Sequence, residues 1–331
     1  MSVKENKNYV FILGPHKSGS SLLRNLLDGH PDLFAIPIET HYFSISRRFW
    51  VNYFLWAERP RVKKSDPRSF IDHIRSYLDT SVKYRDIERV DFIRAEKFNN
   101  YLIEHWEDAT GTKEEIVNYF DALYYSIHSR PMDKNLIVTE KSVSNAENAV
   151  RLQKLFPNAK FIHLIRNPYD NLLSFRNYKR KQNNRFPSLR DLVESLKVNY
   201  YYLYKNQELI DNYFVLKYED LVTDTESQMR TVSKFLEIPF NDTLLLPTTN
   251  GMPWEGNSSQ DKKFTGISKE RIGHIDKQIT KVEVEIINRL FEFILNDYGY
   301  QHIQKKSSFF AFGKNEKLKT YVYNRLYYYF S

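Results

Sequence analysis

The sequence predicts an α/β fold with three layers, in which a central parallel sheet is flanked by helices on both faces. Short apolar runs of strand length alternate with longer stretches in which apolar residues recur at helical spacing. This alternation is typical of a parallel sheet covered on both sides. The predicted strands are Val10–Leu13, Leu136–Thr139, Lys160–Ile165 and Phe214–Lys217, with Leu33–Ile38 a further apolar run interrupted by Pro37.

The predicted helices follow the strands. Leucines recur at helical spacing after Ser20, and Asp28-Gly29 ends that helix. An apolar stripe predicts a helix over Asn145–Phe156, and Pro168 suits the first turn of another. Two more helices are predicted, one running from the Phe214–Lys217 strand through Phe235 and the other over Val282–Tyr298.

An aromatic and charged segment, residues 42–130, shows no strand-like alternation, so we expect a helical insertion or cap. The expected organisation is a single α/β domain over residues 1–305 and an aromatic, basic tail over 306–331. Two interpretations of the tail stay open: a terminal helix packed on the domain, or a peripheral contact with a membrane surface.

The composition is that of a globular protein, with 41% hydrophobic and 27% charged residues among 331. The absence of cysteine excludes disulfides, thiolate catalysis and zinc–thiolate sites. A net charge of +8 indicates an anionic ligand or surface, yet the basic residues are scattered, so no nucleic-acid partner is expected. No apolar run is long enough to span a membrane, and the first one fits a strand better than a signal peptide, so we expect a cytoplasmic location.

The first strand leads into a loop, Gly14-x-x-x-x-Gly19-Ser20-Ser21, that almost matches the P-loop pattern. Such a junction directs backbone N–H groups and a helix N-terminus at one point, which suits a phosphate. Ser20 stands where a P-loop has lysine, and Lys17 lies inside the loop instead. The loop therefore predicts a P-loop-like phosphate site that does not bind ATP; an ordinary strand–turn–helix junction is the alternative.

A second anion site is predicted where Arg166 ends a strand and Asn167-Pro168 begins a helix. Ligands of parallel sheets bind at this carboxyl edge. Ser174 lies about two helical turns further on, so a guanidinium and a hydroxyl could together hold a phosphate. Pairing of Arg166 with Asp170 is the alternative.

The two motifs together resemble those of sulfotransferases that use 3′-phosphoadenosine 5′-phosphosulfate (PAPS). The similarity covers about residues 8–300 apart from the stretch near 45–130. Further matching segments are His30-Pro-Asp, Ile38-Glu-Thr-His-Tyr-Phe, Glu140-Lys141, Phe156-Pro-Asn-Ala-Lys-Phe-Ile-His, Tyr218-Glu-Asp-Leu-Val and Gly256-Asn-Ser-Ser. The resemblance implies sulfuryl transfer to an acceptor hydroxyl with PAPS as donor.

The resemblance also implies roles for matching positions. The 5′-phosphosulfate would lie on Lys17, Ser18, Gly19, Ser20 and Ser21, with His16 beside it. Arg166 and Ser174 would hold the 3′-phosphate, Tyr218 would lie near the adenine, and Lys269 and Arg271 would supply cations from a late loop, Gly266–Gly273. The usual Pro-Arg of the first motif is His16-Lys17 here, which keeps a cation but loses the guanidinium fork.

Glu39 matches the glutamate that acts as base in the tyrosylprotein and bacterial branch, and a glutamate at a helix start is its alternative. His41 is the second candidate base, although a histidine among aromatic residues also suits packing. Lys17 is the candidate for stabilising charge on the leaving oxygen. Lys141 is a candidate contact of the sulfate oxygens; for both lysines a surface position is the alternative. His163 is predicted to be a core histidine, and no metal is predicted, at Tyr218-Glu219-Asp220 or elsewhere.

Two other classes of function stay open, a P-loop kinase and a non-catalytic nucleotide-binding protein. The acceptor is not specified by the sequence: a carbohydrate, a glycolipid, a phenol or a peptide tyrosine would fit, and the basic charge slightly favours an anionic carbohydrate or a glycolipid.

Overall fold

The fold is built on a parallel sheet, seen in a computed structural model that describes residues 8–46, 66–79, 90–183, 187–254, 256, 266–269, 272–273, 279–304, 323 and 327. The strands are β1 (Tyr9–Leu13), β2 (Leu33–Ala35), β3 (Ile137–Lys141), β4 (Lys160–Ile165), β5 (Tyr213–Lys217), β6 (Thr248–Thr249) and β7 (Met252–Pro253). The helices are α1 (Ser20–Leu27), α2 (Tyr42–Ser46), α3 (Pro67–Leu78), α4 (Ala95–Trp106), α5 (Thr112–His128), α6 (Ala149–Leu155), α7 (Pro168–Asn183), α8 (Leu189–Leu209), α9 (Tyr218–Thr223), α10 (Thr225–Leu236), α11 (Lys281–Leu290) and α12 (Glu292–Asp297).

The main sheet has the strand order β2-β3-β1-β4-β5, and each neighbouring pair is parallel. Strand β1 therefore lies in the middle, with β3 on one side and β4 on the other. Chain connections diverge to opposite sides of β1, and such a switch point forms a crevice at the carboxyl ends of the strands. The loops that follow β1 and β4 meet there. The predicted fold class is confirmed.

Both faces of the sheet are covered, which explains why its strands are apolar without alternation. Tyr9, Phe11 and Leu13 pack into a cluster with α3, α4, α5 and α6, whereas Val10 and Ile12 pack with α1, α9 and α10. All five side chains are at most 5% exposed. Helices α7, α8, α11 and α12 form a third cluster beside β4.

Several predicted boundaries were wrong, because local contacts override the apolar pattern. The helix predicted over Asn145–Phe156 begins as a 3-10 helix, Val143–Asn148, before α6. The chain from β5 to Phe235 forms two helices, because Asp224 leaves the helical conformation and its side chain caps α10. The predicted Val282–Tyr298 helix is likewise interrupted at Phe291, a fully buried residue whose φ of −124° and ψ of 21° are not helical.

The described part of the 42–130 segment is helical, as predicted, and comprises α2 to α5. Its aromatic side chains belong to the cluster that covers one face of the sheet: Phe70, Phe98 and Tyr119 are fully buried, and the Phe70 and Tyr119 ring centroids are 4.8 Å apart. Tyr9 of β1 joins this cluster through Phe120. The insertion is therefore packed directly on the sheet.

The tail lies largely outside the described residues. Tyr327 donates a hydrogen bond to Glu194 of α8 (2.8 Å), a contact that a tail packed on the domain predicts. The domain boundaries at 305 and 306 stay a prediction. Among the helices that the structure describes, none combines the length and the hydrophobicity needed to cross a membrane.

A buried ion pair joins α7, which follows the second predicted anion site, to α11. One Arg176 nitrogen lies 2.6 and 2.5 Å from the two oxygens of Glu283, and both side chains are at most 6% exposed. We predict that Glu283→Gln lowers the free energy of unfolding by about 3–5 kcal/mol, because it removes the negative charge that lies against the buried guanidinium of Arg176. Chemical denaturation measures this change.

The control is Glu285→Gln on the same helix, which removes a half-buried pair with Lys281 and should cost about 1 kcal/mol or less, because both side chains still reach solvent. Equal effects of the two substitutions would contradict the prediction.

Candidate active site

The loop between β1 and α1 has a backbone that two glycines make possible. Gly14 and Gly19 have φ values of 136° and 97°. A Cβ atom on Gly14 would lie 2.5 Å from the carbonyl oxygen of Leu164, and one on Gly19 would lie 2.4 Å from the ring of Tyr218. Both glycines therefore let the loop pass close to the ends of β4 and β5. Lys17 adopts a left-handed conformation between them (φ 66°).

Ser18 gives this loop unused hydrogen-bonding capacity. Its side chain is fully buried, and its Oγ atom makes no hydrogen bond to the described part of the chain. Buried hydroxyls normally have a partner, so such an atom points to a ligand. Helix α1 begins at Ser20 with neither a side-chain cap nor an acidic residue in its first turn, which leaves its N–H groups and dipole available to an anion. The loop fits a phosphate group.

Helix α7 forms one wall of this loop. Asn171 donates to the His16 carbonyl oxygen (2.8 Å), the His16 and Phe175 rings stack at 5.0 Å, and the Lys17 ammonium lies 4.1 Å from the centre of the Tyr178 ring. Ser174 lies three residues after Asn171 and four before Tyr178, which places it on the same helix face. The structure thus brings Ser174 to the side of α7 that faces the loop.

Arg166 links the second predicted anion site to the loop. Its side chain is 5% exposed and donates to the Lys17 carbonyl oxygen (3.1 Å). Its guanidinium lies 4.5 Å from the centre of the Tyr218 ring, the same ring that packs on Gly19. The two motifs, about 150 residues apart in sequence, are therefore in direct contact.

Both carboxylate oxygens of Glu219 accept hydrogen bonds from neighbouring parts of the fold. It accepts hydrogen bonds from the Asn167 backbone N–H (2.9 Å) and from the Tyr300 hydroxyl (3.0 Å). Asn167 in turn caps α7 by accepting from the Tyr169 N–H (3.1 Å). Glu219 thereby fixes the corner that carries Arg166. His163 is a fully buried core residue bonded to the Tyr213 hydroxyl, as predicted.

The third part of the site is Glu39, between β2 and α2. Its carboxylate forms an ion pair with Lys141, the last residue of β3, and the nearer nitrogen of His41 lies 3.3 Å from its other oxygen. The Glu39 and His41 side chains are 20% and 31% exposed, whereas Lys141 is buried. Lys141 is thus part of the site, and its alternative as a surface lysine is wrong.

The pKa values of this group show how strongly its charges interact. Burial acts to raise the pKa of Glu39, but the charges of Lys141, His41 and His16 outweigh it and hold that pKa at about 2. Burial lowers the pKa of His16 to about 4, opposed by the charge of Glu39 and assisted by that of Lys141. Since Glu39 and Lys141 act on a histidine of the loop, the loop and the carboxylate belong to one site.

Two functional neighbours of Glu39 were missed by sequence reasoning, His73 on α3 and Glu140 on β3. His73 Nε2 donates to the Glu39 carbonyl oxygen (2.8 Å), and the His73 and His41 rings are 5.6 Å apart. Glu140 accepts hydrogen bonds from Thr40. No spacing or motif predicts the His73 contact; the Glu140-Lys141 pair marked the position of Glu140 but not its role.

The described part of the late loop lies beside the second predicted anion site. Gly273 donates its N–H to Asp170 of α7 (3.3 Å), and Ile267 and Ile272 pack against the cluster that contains Tyr218. Lys269 is exposed. Arg271 lies outside the described residues, so its predicted contact with the cofactor stays a prediction, as does that of Lys269.

A sequence profile of the Sulfotransferase family matches residues 9–242. The chain therefore belongs to the sulfotransferase family, in agreement with the two motifs. The profile covers the loop, the Glu39 group, Arg166 and Tyr218.

Individual relatives are distant. Protein-tyrosine sulfotransferase A of Caenorhabditis elegans is 26% identical over 252 residues, which cover 72% of this chain and 52% of the relative. An omega-hydroxy-beta-dihydromenaquinone-9 sulfotransferase of Mycobacterium bovis is 24% identical over 253 residues, 69% of this chain and 62% of the relative. The chain thus spans between half and two thirds of the length of these curated relatives.

A solved structure, the sulfotransferase domain from the curacin biosynthetic pathway, has the same fold. It aligns with a TM-score of 0.54 at 17% identity and covers 91% of this chain and 100% of that domain.

The ion pair at Glu39 leads to a prediction about its ionisation. In the wild type the carboxyl should stay ionised down to about pH 2, and Lys141→Met should raise its midpoint, because burial then acts with less opposition. A folded-state pKa below the unfolded value of about 4.3 contributes stability above that pH and loses it as the pH falls toward 2. Carboxyl carbon NMR, with the resonance assigned through Glu39→Gln, measures the midpoint.

The control is Lys134→Met, which removes a positive charge from an exposed position just before β3. An unchanged Glu39 midpoint in Lys141→Met would contradict the prediction.

Proposed function

We propose that this protein transfers a sulfuryl group from PAPS to a hydroxyl-bearing acceptor. The observation that carries the proposal is the hydrogen bond from Arg166 to the Lys17 carbonyl oxygen, which joins two anion sites. A nucleotide with phosphate groups at both the 5′ and 3′ positions requires two such sites. ATP does not, and Ser20 stands where an ATP-binding loop has its lysine.

Each anionic part of the donor has residues suited to hold it. The backbone and hydroxyls of Ser18, Ser20 and Ser21, with Gly19, would hold the 5′-phosphosulfate, and His16 and Lys17 would flank it. Arg166 and Ser174 would hold the 3′-phosphate, as a guanidinium and a hydroxyl do well. Tyr218 presents an aromatic surface for the adenine, and Lys269 and Arg271 are the proposed cations of the late loop.

PAPS, when bound, supplies an activated sulfuryl group and a stable bisphosphate leaving group. The protein supplies positioning and charge stabilisation. Lys17 belongs to the loop, and its ammonium packs against the Tyr178 ring, a position from which it would stabilise negative charge on the leaving oxygen. The buried, unused hydroxyl of Ser18 serves the same region.

Glu39 is the proposed general base that accepts the proton of the acceptor hydroxyl. With a pKa of about 2 its carboxylate is a weak base, because Lys141 holds it. The charge of Lys141 also lowers the pKa of His16 in the loop. An anion bound in the loop would therefore compete with Glu39 for the ammonium of Lys141. We propose that this competition frees Glu39 and raises its pKa once the donor is in place. His41, at 3.3 Å, is the second candidate base.

The acceptor is proposed to approach from the insertion, since α3 reaches Glu39 through His73. Relatives are named for a protein tyrosine and for an omega-hydroxy menaquinone derivative, which both present a hydroxyl. A carbohydrate or glycolipid acceptor is the finer proposal that the basic charge favours. A cytoplasmic location and a peripheral membrane contact of the tail stay proposals as well.

Calorimetric binding of 3′,5′-adenosine bisphosphate tests the two-site arrangement. We expect the wild type to bind it without metal and in preference to ATP with Mg²⁺, and Arg166→Ala to weaken it about 10- to 100-fold, because charge-assisted hydrogen bonds are lost. Arg230→Ala removes the same charge from an exposed pair on α10 and should have little effect. ATP preference, or equal effects of the two variants, would indicate a kinase or another nucleotide-binding protein.

Glu39→Gln tests the base. Turnover should fall by about 10²- to 10⁴-fold, while binding of the bisphosphate stays close to that of the wild type. The assay is transfer of ³⁵S from labelled PAPS to a panel of phenols, oligosaccharides and tyrosyl peptides. If His41→Gln abolishes transfer and Glu39→Gln retains it, the base is His41 instead.

A further inference from the structure

Glu140 is a buried carboxylate that contacts the turn after β2, the turn that carries Glu39. It is fully buried on β3, one residue before Lys141. Burying a carboxylate is costly unless hydrogen bonds compensate for the lost water. Burial raises the pKa of Glu140, while hydrogen bonds from Ser142 and Thr40 oppose that rise. Since burial of a carboxylate is unfavourable in itself, we expect Glu140 to have a specific role in this part of the fold.

The hydrogen bonds to Glu140 come from Thr40, the residue after Glu39, and from two residues that follow β3. Its Oε1 atom accepts from the Thr40 hydroxyl (2.8 Å), the Thr40 N–H (3.3 Å) and the Ser142 hydroxyl (2.5 Å). Its Oε2 atom accepts from the side-chain amide of Asn145. The carboxylate thus ties the turn after β2 to β3 and to the start of the following 3-10 helix.

Ser142 extends this network to His41. The same hydroxyl that donates to Glu140 accepts the backbone N–H of His41 (3.1 Å). His41 has φ 47°, a left-handed conformation that L-residues adopt only when their surroundings hold them there. The hydrogen bonds that Thr40 donates to Glu140 and that the His41 N–H donates to Ser142 are among the contacts that hold it.

We propose that Glu140 is a positioning residue, which holds the Glu39-Thr40-His41 turn so that the carboxylate and the imidazole enter the active site together. The role of this turn in catalysis rests on the proposed function. The position of the turn is independent of that function, because the hydrogen bonds to Glu140 and Ser142 are present in the protein without ligand. Removing one donor to Glu140 should let the turn relax and separate His41 from Glu39, which lie 3.3 Å apart.

Thr40→Val tests this with an isosteric change, since direct substitution of Glu140 risks loss of folding. Thr40→Ser keeps the hydroxyl and should restore wild-type behaviour. Thr139→Val is a matched control: Thr139 is also fully buried, one residue from Glu140, and its hydroxyl makes no hydrogen bond to the described residues. The same methyl-for-hydroxyl exchange is therefore made inside and outside the network.

The first readout is the NMR titration of His41 in the unliganded protein, assigned through His41→Gln. The groups that face His41 are Glu39, His73 and, through the shared site, His16 and Lys141. In Thr40→Val the His41 midpoint should shift toward lower pH, in the direction of Glu39→Gln, because a separated carboxylate stabilises the imidazolium less. Thr139→Val and Thr40→Ser should match the wild type.

The second readout is kinetic. Thr40→Val should lower turnover about tenfold or more while bisphosphate affinity stays within about twofold, because the phosphate loop is untouched. Thermal unfolding is followed in parallel. If Thr40→Val lowers the melting temperature but leaves His41 titration and turnover equal to those of Thr139→Val, Glu140 is only structural and the proposal is wrong. Failure of the wild type to bind the bisphosphate would remove the proposed function, and His41 titration would still decide the role of Glu140.

Discussion

The site depends on a close approach of backbones that leaves no room for side chains at two positions. Gly14 passes against the Leu164 carbonyl of β4, and Gly19 passes against the Tyr218 ring after β5. This contact brings the loop within reach of Arg166, whose guanidinium then binds the Lys17 carbonyl oxygen and packs on the same tyrosine. Without that approach, the two proposed anion sites would lie apart from each other.

The two glutamates of the site, Glu39 and Glu140, differ in the charge of their partners. Glu39 pairs with Lys141 and keeps a pKa of about 2. Among the described residues, the hydrogen-bond donors to Glu140, the neighbour of Lys141 in the strand, are neutral, and burial raises the pKa of Glu140. Successive side chains of a strand point to opposite sides, so one strand supplies the ion pair of the proposed base and the neutral network behind it.

Sequence reasoning located the elements that apolar periodicity specifies and the residues that motifs specify. Strand β4 and the start of α7 were predicted to the residue, and Arg166 was predicted at the sheet edge where it lies. Periodicity failed where polar side chains are buried with partners: β3 continues through Glu140 and Lys141. The contact of His73 with Glu39 was not predictable, since it joins separate elements through a backbone oxygen that has no sequence signature.

That same contact has a consequence for the modularity of the protein. The insertion is one continuous stretch of sequence that packs its aromatic side chains on one face of the sheet, so exchanging it between relatives is an obvious way to change acceptor preference. However, His73 of α3, a helix of the insertion, donates a hydrogen bond to the main-chain carbonyl oxygen of the proposed base, Glu39. A chimera that replaces the insertion would also remove one support of Glu39, and its loss of turnover could be mistaken for a poor acceptor fit unless an imidazole is grafted back at this position.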